Sequence, residues 1–463
     1  MLISAGDSQN APSVADKKQA GFEVSFSPGS RDVNRLFMGG TEVRSLVGHD
    51  GKLFAGNGYW MDRPGWEGVM NAQILVLDRP SGMWRVDHAF EGWMPNGRPR
   101  NLAVSVMGDA DFTTDANGRP LAKPAALLLA STWDLTGETS VFTRDAADGR
   151  WASAPLAYTE RIPGQRRLAQ VRSFGRHRDR TTGVDTIFAG EDPNGIYSGA
   201  YDPAVPGRIR WGQSPELDIS GIAVSGFPGM ENHLRVTSFA EANEHLYAAV
   251  GQQIYERIDG TTPRWRAIYT NPSPGFSRSG LRGLTAVPNP GGDGEVLLAA
   301  VEGTASRIVR VNPRDGSEAT DLQLGDFLSK AWRMRVAYVI AAYNDMAKIH
   351  DLQGNDVLLI GLDASIGPES AAMTGHNIVN MAPARHEGDA WYLIRRPNGA
   401  YDLHRISPRT GFAMIATRSI AASPFPGDGD GIYFAGFDAN FTSVHNTGWI
   451  VRSTISAAIG GQP

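Results

Sequence analysis

A short apolar run of one shape recurs seven times along this chain, and no other feature limits its fold as much. The runs are Leu53-Phe54-Ala55-Gly56, Leu127-Leu128-Leu129-Ala130, Ile187-Phe188-Ala189-Gly190, Leu246-Tyr247-Ala248-Ala249, Leu297-Leu298-Ala299-Ala300, Val357-Leu358-Leu359-Ile360-Gly361 and Ile432-Tyr433-Phe434-Ala435-Gly436. Each is too short for a helix, is rich in branched or aromatic residues, and closes on small residues where sheets must pack closely. They stand roughly 50 to 75 residues apart, as expected of one central strand from each blade of a seven-bladed β-propeller. The fold class is therefore all-β, with a flexible tail over residues 1–20 and a single propeller domain over 21–463. The best helical periodicity, Leu328–Tyr343, reads equally well as a strand crossing between blades.

Around each run a unit can be laid out. Innermost strands are expected at Glu42–Val47, Leu102–Met107, Gln170–Phe174, His233–Phe239, Leu281–Val287, Ala347–Leu352 and Arg418–Ala422, with the run as second strand and a hairpin after it. Three hairpin turns share an acidic residue, a Gly and a following Trp: Asp78–Trp84, Arg144–Trp151 and Asp259–Trp265. Asp and Gly supply the tight turn, and the Trp is placed to cover the gap between neighbouring blades. Pro313–Gly316 and Pro397–Gly399 occupy equivalent places without the Trp. Ala457–Pro463 is too weak for an outer strand, so Phe22-Glu23-Val24-Ser25-Phe26 is expected to complete the last blade and close the ring.

Net charge is −5 over 463 residues, with no polybasic run, which argues against nucleic acid as the main partner. No apolar stretch is long enough to span a bilayer. Cysteine is absent, which removes thiol catalysis, disulfides and cysteine-based zinc sites. The first 20 residues lack the apolar core of a signal peptide, and a periplasmic or secreted setting is the expectation. Oligomeric state is left open.

In a propeller, the starts of innermost strands and the ends of second strands share one face around the funnel. The first group brings Glu42, Arg44, Asn101, Gln170, Arg172, Glu231, His233, Arg235, Arg282, Lys348 and Arg418; the second brings Asn57, Glu191, Glu302, Asp363 and Asp438. Three long loops add Tyr59, Trp60 and Trp66, then His376 and His386, then His445. His233, Glu302, His376 and His445, with Glu42 or Glu231, form a mixed imidazole and carboxylate set suited to one or two ions of manganese, iron or zinc. His49, His88, His177, His245 and His404 fall on strands or far-face turns and are expected to be structural. Arg44, Arg172, Arg235, Arg282 and Arg418 converge on the axis, where five cations repel one another unless buried carboxylates or a bound anion compensate. Such a ring favours an acidic ligand.

Leu53–Trp60 and Ile74–Phe90, within a span from Phe22 to Thr454, resemble bacterial seven-bladed propeller hydrolases of the haloalkylphosphorus hydrolase (phosphotriesterase) type. That resemblance implies a two-metal centre activating water against a small ester, a phosphotriester in that family. Metal ligands would then be His233, Glu302 and His376, with Glu42 and His445 as further candidates. Arg282 and Arg235 would stabilise developing charge, and Arg44, Tyr59, Trp60 and Arg418 would hold the small-molecule substrate. Two other readings stand beside it. One is a polysaccharide lyase, in which an Arg neutralises a uronate and a His or Tyr moves the proton; the other is a non-catalytic binding propeller.

Overall fold

Each of the seven apolar runs lies in a strand with a hydrogen-bonded neighbour on both sides. The computed structural model describes residues 21–62, 68–159, 169–220, 234–351, 353–367, 390–406, 414–439 and 446–460, and the backbone of 385–386. Strands account for 57% of the described residues and helices for 4%. The chain forms successive antiparallel meanders, each running from an innermost strand through the run to a third and an outer strand. The first comprises Glu42–His49, Lys52–Gly58, Gln73–Leu77 and Arg85–Ala89. The second comprises Asn101–Thr114, Pro120–Asp134, Glu138–Asp145 and Trp151–Tyr158, and a bridge between Gly58 and Ala103 joins the two.

Gln170–Arg178, Asp185–Asp192, Gly195–Tyr201 and Ile209–Trp211 form the third, with Leu217–Asp218 as an extra pairing. Val236–Ala242, His245–Val250, Gln253–Ile258 and Arg264–Thr270 form the next. Leu281–Pro288, Glu295–Val301, Arg307–Val311 and Glu318–Leu322 follow. After them come Asp356–Ile366, Ala390–Arg395 and Tyr401–Ile406, whose innermost partner is split. The last meander is Ala416–Ala422, Gly431–Phe437 and Trp449–Thr454. Innermost strands pack on one another from the first meander to the fifth, Val336–Ala341 packs on Glu295–Val301, Ala347–His350 packs on Ala416–Ala422, and Ala416–Ala422 packs on Glu42–His49. The architecture is an all-β propeller.

Both faces of each sheet are buried, which explains why the runs are continuous rather than alternating. Phe54, Ile74 and Val76 pack with Val104, Leu128 and Ala130 of the following meander. Leu53, Ala55 and Leu75 face the other way, onto Phe26, Tyr433 and Ala435. The small residue ending a run sits where the next innermost strand crosses: a Cβ on Gly56 would lie 2.6 Å from Val104 Cγ1, and one on Gly190 2.5 Å from Val236 Cγ1.

The turn tryptophans do reach across to the preceding meander. Trp84 Nε1 donates to Ser25 Oγ at 3.1 Å, Trp151 Nε1 to Asp87 Oδ2 at 2.8 Å, and Trp265 Nε1 to Glu216 Oε2 at 3.3 Å. An arginine from the third strand strengthens the same contact: Arg144 pairs with Asp87 and Arg257 with Glu216. Where the Trp is missing, Arg395 pairs with Asp321, and the Tyr401 hydroxyl takes the place of the indole, donating to Asp321 Oδ2 at 2.6 Å.

Glu23–Phe26 pairs antiparallel with Trp449–Thr454, Glu23 opposite Arg452 and Val24 opposite Val451, and so lies outermost in the last meander. Two expectations need correction. The segment read as Leu328–Tyr343 divides into a helix, Leu324–Trp332, and a strand, Val336–Ala341. The innermost strand expected at Ala347–Leu352 is only half of one: Val336–Ala341 and Ala347–His350 pair in turn along Asp356–Ile366, with 342–346 between them.

Gly190→Val would force a side chain into Val236 and should destabilise the fold by about 2 kcal/mol, the usual scale of overpacking. Urea unfolding compared with wild type checks this.

Candidate functional site

The innermost strands share a local irregularity that aims side chains at the axis. Register slips by one residue at Val43/Ser45, Val104/Val106, Val171/Ser173, Val236/Ser238 and Thr417/Ser419. The extra residues are Arg44, Ser105, Arg172, Thr237 and Arg418, and such bulges re-aim a side chain out of the ladder. The serine that follows can tie one innermost strand to the next. Ser173 Oγ donates to Val236 O at 2.7 Å, while Ser238 Oγ accepts from Leu284 N at 2.9 Å and Ser419 Oγ from Leu46 N at 3.0 Å. Arg235 and Arg282 join from neighbouring positions.

Residues 342–346 carry Tyr343 into the centre of this set. Ala342 adopts φ 50°, and Gly283 leaves room beside it that a Cβ would fill. The Tyr343 ring is sandwiched between guanidiniums, with Arg418 Cζ 4.4 Å and Arg282 Cζ 4.7 Å from its centroid. Its hydroxyl accepts from Arg172 Nη1 at 3.2 Å, and its carbonyl accepts from Arg282 Nη1 at 2.6 Å. Asn344 Nδ2 donates to Arg44 O at 3.3 Å.

Buried carboxylates answer the arginines. Glu42 pairs with Arg44 Nε at 2.8 Å and Arg418 Nε at 2.6 Å, and accepts from Trp60 Nε1 at 2.8 Å. Arg418 Nη2 reaches Asp363 at 2.9 Å. Asp192 holds Arg172 Nε at 2.8 Å but stands 4.0 Å from Arg235. Glu302 pairs with Arg282 and accepts from the Tyr338 hydroxyl. Among the described residues these four carboxylates are one fewer than the arginines they serve.

That imbalance appears in the acidities. Burial would raise Glu42, but Arg44 and Arg418 hold it below the usual carboxylate value; Arg282 does the same for Glu302. Burial, with repulsion from Arg172 and Arg282, brings Arg235 down to about 10. Burial should also raise the Tyr343 phenol, yet Arg44, Arg172 and Arg418 overcome it, lowering the phenol to about 8. Among the described residues, Arg44 Nη1 and Arg418 Nη1 have no hydrogen-bond partner although buried, and neither do the amide atoms of Gln170. Buried donors left open in this way suit an incoming oxyanion.

Of the residues expected at a site, Glu42, Arg44, Trp60, Arg172, Arg235, Arg282, Glu302, Asp363 and Arg418 do gather here. Tyr59 is 1% exposed and packs into the core. Lys348 is exposed and pairs with Asp356 at the opposite end of its strand. His233, His376 and His445, with Glu231, Trp66 and the side chain of His386, lie outside the described residues. His49, His177 and His245 contact Asp109, Glu241 and Glu256 through Nδ1 at 3.0, 2.5 and 3.0 Å. Tyr343 and Asp192 were not foreseen. A repeated tripeptide, Val43-Arg44-Ser45, Val171-Arg172-Ser173 and Thr417-Arg418-Ser419, was the available signal for the bulges.

The described donors do not fit a divalent metal. Glu42 and Glu302 already accept from guanidiniums, which a cation would have to displace, and no group of three potential ligands occurs among the described residues.

No family model matches the chain, and no curated protein does. Among solved structures it is similar to the Trypanosoma rangeli sialidase in complex with 2,3-difluorosialic acid, at 12% identity and TM-score 0.39, covering 94% of this chain and 58% of that one. It is also similar to a putative exo-β-1,3-galactanase from Bifidobacterium bifidum S17, at 10% identity and TM-score 0.31, covering 64% of this chain and 96% of that one. A third is a mutant of AofleA from Arthrobotrys oligospora, at 8% identity and TM-score 0.39, covering 80% and 87%. The chain thus spans little more than half of the sialidase. Likeness at this level leaves the function to be read from the site.

One carboxyl beside the cage yields a separate expectation. Glu191 accepts from Thr139 Oγ1 and Asn194 N, both at 3.0 Å, and burial pushes it up to about 8 from 4.5. The folded state therefore holds a proton there that the unfolded chain releases. Its contribution is fully present below pH 4.5 and is lost as pH rises towards about 8. Glu191→Gln should flatten the fall in unfolding free energy between pH 5 and 8 and be the more stable protein at pH 8.

Proposed function

We propose that the axial cage binds a carboxylate-bearing sugar, a uronate, and that Tyr343 moves the proton in a β-elimination on it. The supporting observation is the Tyr343 phenol, lowered to about 8 between Arg282 and Arg418, beside buried guanidinium nitrogens that lack a partner. In this reading the runs are the central strands of seven blades, and Glu23–Phe26 closes the ring.

The substrate carboxylate supplies the anion that the cage is short of. Paired with Arg44 and Arg418, it withdraws charge from the adjoining carbon and makes its C–H bond more acidic. The Tyr343 phenolate takes that proton. The C–H electron pair becomes a carbon–carbon double bond, and the oxygen substituent on the next carbon leaves with its bonding pair. The proton held by Tyr343 then passes to the departing oxygen, so the phenol ends the cycle ionised as it began.

Metal-dependent hydrolysis of a phosphotriester, as the resemblance implies, would require His233, His376 and His445 to meet carboxylates that guanidiniums already occupy. A neutral triester would also give the cage no charge to neutralise. Binding without turnover has one observation in its favour: four buried carboxylates already offset most of the arginine charge.

Uronate polymers mixed with the protein should gain ultraviolet absorbance from unsaturated ends, at a rate that rises with pH to a plateau above about 8 and is indifferent to chelator. Tyr343→Phe should lower kcat by about 10³-fold, within the range of a lost general base, and remove one phenol from the ultraviolet titration near pH 8. Arg-cage binding of uronate without product would leave the receptor reading, and elimination that persists in Tyr343→Phe would end Tyr343's role.

A further inference from the structure

We infer that the cage opens onto an aromatic platform on the second meander, so that its substrate is a chain of sugars laid across that sector. This rests on the uronate reading above and names the rest of the ligand. Among the described residues only two aromatic side chains are more than half exposed, Trp93 at 59% and Tyr158 at 67%. Large aromatic surface left in water has to be explained, and flat amphipathic rings suit the apolar faces of sugars.

Both rings belong to one sector and one face. Trp93 precedes the innermost strand Asn101–Thr114, and Tyr158 ends the outer strand Trp151–Tyr158. In a four-stranded antiparallel meander those two ends share a face, the one where Arg44 and Arg172 enter, and stand at its inner and outer edges, three strand spacings or about 14 Å apart. Arg100 links them: its side chain packs on Gly92 and pairs with Glu138, which stands opposite Tyr158 in the ladder.

The loop bearing Trp93 is firmly held although its indole is bare. Trp93 bridges to Pro99, Met94 N donates to Arg98 O at 2.8 Å, and Asn71 and Asn101 side chains donate to Gly92 O and Glu91 O. A ring presented on an ordered loop needs little further ordering to bind.

Two of the bulges carry no cation, Ser105 in the second meander and Thr237 in the fourth. The Ser105 hydroxyl turns back to Ser131 O at 3.0 Å, between Arg44 on one side and Arg172 on the other. Of those two sectors it is the second that bears the exposed rings, so a chain whose acidic unit is seated in the cage runs outward over Trp93 and Tyr158.

The test uses calorimetric titration of oligogalacturonates, monomer to hexamer, into the Tyr343→Phe protein so that the chain is not consumed. Affinity should rise about tenfold or more with length, the scale of one to two stacked rings. Trp93→Ala and Tyr158→Ala, made in that background, should abolish the gain, leaving monomer affinity and melting temperature unchanged. Monomer binding with no gain from length, or a gain that survives both substitutions, overturns the platform and spares the cage. Binding at no length overturns both.

Discussion

Five guanidinium groups cannot share one axis inside a protein unless negative charge is brought to the same place. The centre of this molecule is arranged around that constraint. Glu42 is shared by Arg44 of its own strand and Arg418 of the last meander, and Arg418 also reaches Asp363 on Asp356–Ile366. Asp192 lies against Arg172 and Glu302 against Arg282, each pair within one meander. Through Arg418 the charges bind three meanders to one another. What is left over falls on Tyr343, whose acidity rises in spite of burial.

The bulge in the innermost strands serves two ends with one extra residue. It turns an arginine towards the axis, and it leaves the next residue, a serine, aimed at the neighbouring strand. Packing and site are consequently inseparable at these positions. Removing the serine would loosen the strand whose bulge aims the arginine.

The fold was legible because the runs are buried on both faces, and continuous apolar strands bounded by turns leave few alternatives. Leu53–Gly56 and Ile187–Gly190 show even the reason for the terminal glycine, since Val104 and Val236 lie where a side chain would go. The arginines and Glu42 and Glu302 were legible from strand ends alone. Asp192 was missed by one residue: neighbours in a strand point to opposite sides, and it is Glu191 that turns to Thr139 while Asp192 meets Arg172. Tyr343 was missed for a different reason: it stands in a break between two half-strands, Val336–Ala341 and Ala347–His350, which strand periodicity alone does not reveal. Histidines and carboxylates were the metal donors expected from the sequence, whereas the described geometry is built from guanidinium, carboxylate and phenol.

The inserted segment 342–346 has a consequence for traffic through the molecule. Tyr343 lies across the axis between arginines of separate meanders, while Asn344 and Asp345 behind it line a cavity of about 250 Å³ with Val106, Ser173, Ser238 and Leu284. Passage along the axis would require the Tyr343 ring to swing away from Arg172, Arg282 and Arg418, so the contacts that set its acidity are the same ones that resist such movement.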